Sequence, residues 1–419
     1  MRISIHHILS LLRESIRQKD VEAARFVYSL SLEENGFLLN PKLLCFLIKA
    51  FSSCGNLLEA SKVFACNERN VYTWSAIILA HAQHGESHNA LHLYKQMKLS
   101  SITPNIHTYM GVLKACSNVD SLDQVYDDLI KEGLERDQYV GNMLINVYAR
   151  HGDIKKSRKV FDELYVRDIV AWSAMITAYV NHDQGQEAIS LFHEMWRERP
   201  EPDDVTLLCT LKACANVGCV SHGMFIYTEI TKWFQLDVYI GSAIIDMYAK
   251  CSHMEDAQKV FDGLNGDDVA AWNALIGVFY QHGHIEDVIS ILKHMQMEGV
   301  DPDEVTFFNV LSACSHCGLL DEGFQYFFMY YSYNVMPCIE HFNCLIGLLG
   351  RAGRLDEAEE IIHNMPFAKT ASSWMGLLAC CNMHLDGIRG KQLADVVFQL
   401  EPDNAASYVT LANIYAMGD

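Results

Sequence analysis

The sequence predicts an all-α fold, a solenoid of stacked helix–turn–helix units, and three observations predict it. Trp74, Trp172 and Trp272 open nearly the same string three times, WSAIILAHAQHGESHNALHLYKQM, WSAMITAYVNHDQGQEAISLFHEM and WNALIGVFYQHGHIEDVISILKHM, at spacings of 98 and 100 residues. Cys116, Cys214 and Cys314 each end a (V/T)L(K/S)AC string at the same long period, which also relates Tyr148-Ala-Arg to Tyr248-Ala-Lys and Phe161 to Phe261. Each hundred residues therefore holds three unlike units of about thirty-one to thirty-five, a size that means supersecondary units unable to bury an apolar face without neighbours.

Within a unit the first element is a helix. Ala271, Trp272, Leu275, Ile276, Val278 and Phe279 keep helical spacing until Gly283 breaks the pattern. Glycine accepts the left-handed backbone that ends a helix, and Gly55, Gly85, Gly152, Gly218, Gly318 and Gly353 share its phase. Asp120, Asp183 and Ser252 are expected to take that place in three units. A second helix follows, carrying a small residue five places after the turn: Ala60, Ala90, Ala188, Ala257 and Ala358, with Gly223 and Gly323 in two units. Small side chains at one phase let helices cross closely, so the tryptophan stripe is expected in the core.

Eleven units follow from these phases: a degenerate one at 5–40, then 41–70, 71–105, 106–137, 138–168, 169–203, 204–237, 238–268, 269–303, 304–338 and 339–370, with a distinct tail at 371–419. Length alone would suggest two or three globular domains for 419 residues, but a solenoid core grows along one axis. No apolar run approaches the roughly 18–20 residues that cross a bilayer, so a soluble, mostly helical chain is expected. Fourteen cysteines recur at repeat phases, Cys116, Cys214 and Cys314 at one and Cys54, Cys251 and Cys317 at another, which fits buried free thiols better than a disulfide framework. The stretch Met1 to Arg13 has two arginines and no acid, faintly like an organellar presequence, although repeat-like sequence begins near Ile5.

Tetratricopeptide units place glycine in the middle of the first helix, where this chain has Ile78, Ile176 and Ile276. The strings VGNMLINVYARHGDIKKSRKVFDEL, IGSAIIDMYAKCSHMEDAQKVFDGL and DEVTFFNVLSACSHCGLLDEGFQYF closely resemble units of plant pentatricopeptide repeat proteins of the PLS class, over 5–370. The tail SSWMGLLACCNMHLDGIRGKQLADVVFQLEPDNAASYVTLANIYAMGD is similar to the E motif of that class. The resemblance implies a right-handed superhelical α-solenoid in the mitochondrion or chloroplast, mitochondrion placed first. Its implied partner is single-stranded organellar RNA, in which it would specify cytidine-to-uridine editing sites.

Such arrays read about one base per unit. By resemblance, the fifth and last residues of a unit meet the base edge, and both are short and polar here, as hydrogen-bond readout requires. The pairs carried over are Ser75 with Asn105, Asn142 with Asp168, Ser173 with Asp203, Ser242 with Asp268, Asn273 with Asp303, and Asn343 with Thr370. The family's code reads Ser/Asn as A, Asn/Asp as U and Ser/Asp as G, so 71–303 implies 5′-A-N-U-G-N-G-U-3′, a few nucleotides upstream of an edited C. The long units offer Met110, Leu208 and Phe308 at the fifth place and are expected to read poorly. Aspartate before a helix is also a good N-cap, a second role that can coexist with readout.

A net charge of −20 is awkward for a nucleic-acid binder. Locally, Arg150, Lys250 and Arg351 share one phase where the family meets phosphate, while acids such as Asp162, Glu163, Glu359 and Glu360 fall on or after second helices. Gln83, Asn181 and Gln281 are uncharged at the basic phase, so affinity is expected to depend on partners.

No enzyme and no cofactor is expected. A zinc deaminase needs H-x-E followed by P-C-x-x-C. His284-Ile-Glu286 and Cys314-Ser-His-Cys317 imitate it, but no proline precedes Cys314 and repeat phase accounts for both strings. The sequence stops at Asp419 within the tail motif, and the family's DYW deaminase domain is expected to be lacking, as in members to which a deaminase and multiple organellar editing factor proteins are supplied in trans. Two rival readings keep the fold: an organellar RNA stabilisation, splicing or translation factor, and a protein-binding scaffold. The acidic balance favours the scaffold; the matched polar pairs argue against it.

Overall fold

In the computed structural model the described residues are 5–33, 40–65, 69–198, 200–233, 236–264, 266–403 and 405–418. Residues 1–4 of the presequence-like stretch, residues 34–39 of the first unit and Asp419 lie outside them. Among the described residues there are twenty-five α-helices and no strand. They are α1 (Ile5–Gln18), α2 (Val21–Glu33), α3 (Pro41–Ser53), α4 (Leu57–Ala65), α5 (Val71–Gln83), α6 (Ser87–Leu99), α7 (Ile106–Ala115), α8 (Val119–Glu132), α9 (Gln138–Arg150), α10 (Ile154–Glu163), α11 (Ile169–Asn181), α12 (Gly185–Glu198) and α13 (Asp204–Val217). There follow α14 (Val220–Trp233), α15 (Val238–Lys250), α16 (Met254–Asp262), α17 (Val269–Gln281), α18 (Ile285–Met297), α19 (Glu304–Cys317), α20 (Leu320–Met329), α21 (Ile339–Arg351), α22 (Leu355–Asn364), α23 (Ala371–His384), α24 (Gly387–Leu400) and α25 (Ala405–Gly418).

The chain divides within α13 into two compact units, Met1–Cys209 and Thr210–Asp419. In the first, α1, α3, α5, α7, α9 and α11 pack each on the next, and each second helix lies against its own first helix. In the second, α15, α17, α19, α21 and α23 repeat that stacking, and α25 closes on α23 and α24. Both are helical solenoid stacks, which is what a helix pair with one apolar face must build.

Polar residues start the first helices. Asn70, Asn105, Asp137, Asp168, Asp268 and Asp303 accept backbone N–H bonds from the first turn, satisfying donors that the helix itself cannot. Glycine ends several helices for the reason the sequence implied: Gly85, Gly152 and Gly283 sit at φ of 75°, 81° and 75°. Asp183 and Ser252 take the same left-handed conformation, at 56° and 62°. Asp120 does not. Because Cys116 turns to extended backbone and Asn118 caps the next helix, Asp120 lies in the first turn of α8, where its charge complements the helix N-terminus.

The core is built on the tryptophans. Trp74, Trp172 and Trp272 are fully buried and meet Phe64, Phe161 and Phe261 edge-to-face, with ring centroids 4.7, 4.8 and 4.7 Å apart. Ala60, Ala90, Ala188, Ala257 and Ala358 are fully buried, and a Cβ at Gly323 would collide with Leu348 Cδ2. In the tail, Trp374, Leu377, Leu378, Cys381, Leu393, Ala394 and Ile414 form one apolar cluster with Ile346 and Leu349 of α21 and Ala358 and Ile362 of α22.

The cysteines divide by phase. Cys116, Cys214 and Cys314 are buried free thiols whose pKa burial pushes up to about 11, 12 and 12. The second phase is not buried as expected: Cys54 and Cys251 are half-buried and Cys317 is exposed, because they stand where a first helix ends. No helix among the described residues is long and apolar enough to cross a membrane.

Candidate nucleic-acid interface

Each first helix places its fifth residue one turn in from the N-cap, and the cap of the next first helix is the last residue of the same unit. Stacking therefore brings a unit's own two polar residues together. Ser75 Oγ lies 3.1 Å from Asn105 Oδ1, and Ser173 Oγ lies 3.0 Å from Asp203 Oδ1. Asn142 Nδ2 donates to Asp168 Oδ1 at 3.1 Å, and Asn273 Nδ2 to Asp303 Oδ1 at 2.8 Å. Asn343 and Thr370 meet through a third residue, Ser373, whose hydroxyl is 2.7 Å from Asn343 Oδ1 and 3.3 Å from Thr370 Oγ1. Ser242 and Asp268 are not joined: Asp268 caps α17 through Ala270 N–H, and Ser242 Oγ has no partner among the described residues.

Ser75, Asn142, Ser173 and Asn273 are nearly covered, while Asp203 and Asp268 are exposed and Asn105, Asp168 and Asp303 half-covered. The last residues are thus the more accessible half of each pair. The carboxylates also cap: Asp203 Oδ1 accepts from Thr206 N–H at 2.9 Å and Asp168 Oδ1 from Ala171 N–H at 2.9 Å. One carboxylate oxygen in each is thereby committed to the helix.

The three basic residues differ in surroundings. Arg150 is exposed and, among the described residues, reaches the Cys116 carbonyl alone, at 3.4 Å. Lys250 forms an ion pair with Asp246 at 2.8 Å. Arg351 is half-buried and donates through Nη1 to Ser315 O at 3.0 Å, so its charge also caps the C-terminal end of α19. Around them acids are scarce: first helices from α3 to α21 carry Lys42, Lys49, Lys114, Arg150, Lys212, Lys250 and Arg351 against Asp204, Asp246, Glu304 and Glu340. Several acids on second helices are held in ion pairs that join successive pairs of helices, such as Lys98–Asp128, Lys156–Asp123 and Arg158–Glu194.

Sequence reading missed two sets of residues. Lys49, Lys114 and Lys212 stand at the ninth place of their units, exposed and without an ion pair or side-chain hydrogen bond among the described residues. Four residues separate each from the fifth place, which puts them on the same helical face. Tyr72, Tyr139 and Tyr239, at the second place, are 59, 69 and 74% exposed, with Val170, Val205 and Val305 exposed at the same phase elsewhere. Lying three residues before Ser75, Asn142 and Ser242, these rings share a helical face with the fifth place and offer flat faces for stacking. Their signal was available: an apolar residue outside the core phase that recurs.

The zinc imitation separates into unrelated parts. His284 precedes α18 and faces Asp287 at 3.5 Å, while Cys314 is buried in α19 and Cys317 is exposed at its end. Among the described residues no three His, Cys, Asp or Glu side chains are placed to hold a metal ion.

These features, an all-helical stack with polar pairs repeated at one end of its first helices, define a helical-repeat protein. The PPR repeat family model matches residues 69–118, 167–216 and 267–316, and a PPR repeat model matches 142–169, 242–269 and 340–367, together more than half the chain. The chain belongs to the pentatricopeptide repeat family. Relatives in Arabidopsis thaliana include a chloroplastic pentatricopeptide repeat-containing protein, 35% identical over 406 residues, covering 92% of this chain and 45% of the relative. A mitochondrial one is 33% identical over 372 residues, covering 88% of this chain and 59% of the relative. The chain thus spans about half the length of such relatives, and they are named for both organelles. Among solved structures, the maize pentatricopeptide repeat protein PPR10 matches 96% of this chain and 60% of its own at TM-score 0.66 and 18% identity. PPR10 in complex with an 18-nt psaJ RNA element matches 100% of this chain and 67% of its own at TM-score 0.70 and 17% identity, a likeness of fold.

Proposed function

We propose that this chain binds single-stranded RNA sequence-specifically, one nucleotide per unit, through the fifth and last residues of its units. The observation that carries this reading is the repeated meeting of those two residues, hydrogen-bonded at Ser75/Asn105, Asn142/Asp168, Ser173/Asp203 and Asn273/Asp303. A packing role alone requires no polar residue at the fifth place, as Met110, Leu208 and Phe308 demonstrate. The scarcity of acid on first helices and the exposed Tyr72, Tyr139 and Tyr239 supply charge and stacking surface. PPR10, a protein of the same fold, is known in complex with RNA.

The finer reading is that the bound RNA is an organellar transcript and that binding selects a cytidine for conversion to uridine. Support comes from the tail, whose sequence is similar to the E motif and which packs against α21 and α22. The deaminase acts in trans, with multiple organellar editing factor proteins as further partners, and Arg150, Lys250 and Arg351 meet phosphate.

The test is gel-shift binding of the 419-residue chain to RNA bearing 5′-A-N-U-G-N-G-U-3′ against a scrambled RNA. Selective binding is expected; equal or absent binding would end the sequence-reading proposal. Asn142→Ser converts an Asn/Asp pair to Ser/Asp, and preference at that nucleotide is expected to move from U to G.

A further inference from the structure

The reading pairs fall into two groups that a two-residue code treats alike. Where the next first helix has a hydroxyl at its third place, that hydroxyl joins the pair. Thr108 Oγ1 is 2.7 Å from Ser75 Oγ and 3.0 Å from Asn105 Oδ1. Thr206 Oγ1 is 2.7 Å from Ser173 Oγ and 2.5 Å from Asp203 Oδ1. Thr306 Oγ1 donates to Asn273 Oδ1 at 2.6 Å, lies 2.9 Å from Asp303 Oδ1 and accepts from Asp303 N–H at 3.1 Å. Ser373 does the same for Asn343, at 2.7 Å.

Where alanine stands at that place, the pair stays open. Ala171 follows Asn142/Asp168 and Ala271 follows Ser242/Asp268. Asn142 Oδ1 and Ser242 Oγ are buried atoms with no hydrogen-bond partner among the described residues. A buried acceptor without a donor is unfavourable, so these two units hold an unmet demand that the Thr-followed units do not.

We propose that the third residue of each following unit, Thr108, Thr206, Thr306 and Ser373, is a positioning residue that fixes the reading side chain. This rests on the RNA-binding reading above. The chemistry is clearest for asparagine, whose carboxamide offers a donor at one end and an acceptor at the other. Uracil presents an acceptor at O4, cytosine a donor at N4, so turning the amide over exchanges one preference for the other. At Asn273 the Thr306 hydroxyl donates to Oδ1 while Nδ2 donates to Asp303, and turning the amide would set Oδ1 against the Asp303 carboxylate and take from it the hydroxyl's hydrogen. At Asn142, among the described residues, only Asp168 orients the amide and nothing holds Oδ1. Two Asn/Asp pairs of one nominal specificity therefore differ: Asn273 is locked and Asn142 is loose.

The experiment measures U over C selectivity at the nucleotide of one unit, using RNAs that differ only there. Thr306→Val removes the hydroxyl and keeps the shape; selectivity opposite unit 269–303 is expected to fall about 3- to 10-fold, with neighbouring positions unchanged. Thr306→Ser restores the donor and is expected to restore selectivity, which a role confined to packing would not do. Ala171→Thr tests the converse, since threonine is fully buried at this phase in three units, and is expected to sharpen U over C opposite unit 138–168 by a similar factor. If Thr306→Val fails to fold by circular dichroism, the Ala171→Thr arm decides. Unchanged selectivity in Thr306→Val, or in Ala171→Thr where that arm decides, overturns this inference while leaving the RNA-binding reading standing. Failure of the unaltered chain to bind any RNA selectively overturns the RNA-binding reading, and this inference with it.

Discussion

Ser75, Ser173 and Asn273 each follow directly on a core tryptophan, so one helical turn commits one side chain to packing and its neighbour to hydrogen bonding. The tightness of that packing is testable at a single atom. A methyl at Gly323 would overlap Leu348 Cδ2, and Leu348 is itself buried, so Gly323→Ala is expected to destabilise by about 1–3 kcal/mol in urea unfolding. At Gly376, in α23, the same methyl meets open space, and Gly376→Ala is expected to be neutral or to stabilise by roughly 0.5–1 kcal/mol through helix propensity. Equal effects of the two substitutions would contradict the view that small residues at this phase exist to let helices approach.

At the scale of the helix, an aspartate that caps is also proposed to read a base, and the fold supplies a control that separates the two roles. Asp137 ends a long unit and caps α9, accepting from Tyr139 and Val140 N–H at 3.0 and 3.1 Å, but the fifth residue of its unit is Met110. Asp203 caps α13 and also meets Ser173. Alanine at either site is expected to cost about 1 kcal/mol of stability in denaturant titration. Only Asp203→Ala is expected also to erase G preference at its nucleotide, and equal RNA selectivity in the two variants would leave Asp203 as a cap alone. The helical solenoid was legible because the apolar period and the left-handed turns are consequences of single-residue chemistry. The turn near Asp120 was not, since a cap at Asn118 overrode the glycine phase. Nor were the third-place hydroxyls: Thr108, Thr206 and Thr306 recur visibly, but a period does not say which neighbour a hydroxyl faces.

For the whole molecule the proposed binding of a polyanion has to be reconciled with a net charge of −20. Segregation contributes, because first helices carry few acids and keep exposed cations, while several second-helix acids are held in ion pairs. Lys49, Lys114 and Lys212 lie in units whose fifth residues are Cys45, Met110 and Leu208, so units ill-suited to reading a base still present a charge. Contact with phosphate releases counterions, and for single strands each contact contributes about −0.7 to the slope of log K against log salt. Replacing all three lysines by glutamine is therefore expected to flatten that slope by about 2 while leaving the ranking of RNA sequences unchanged. Lys156→Gln, on second helix α10 and held by Asp123 at 2.7 Å, is the matched control and is expected to leave the slope as it was. A slope that the triple variant does not change would move the phosphate path off this helical face, whereas a change in sequence ranking would mean that these lysines read bases after all.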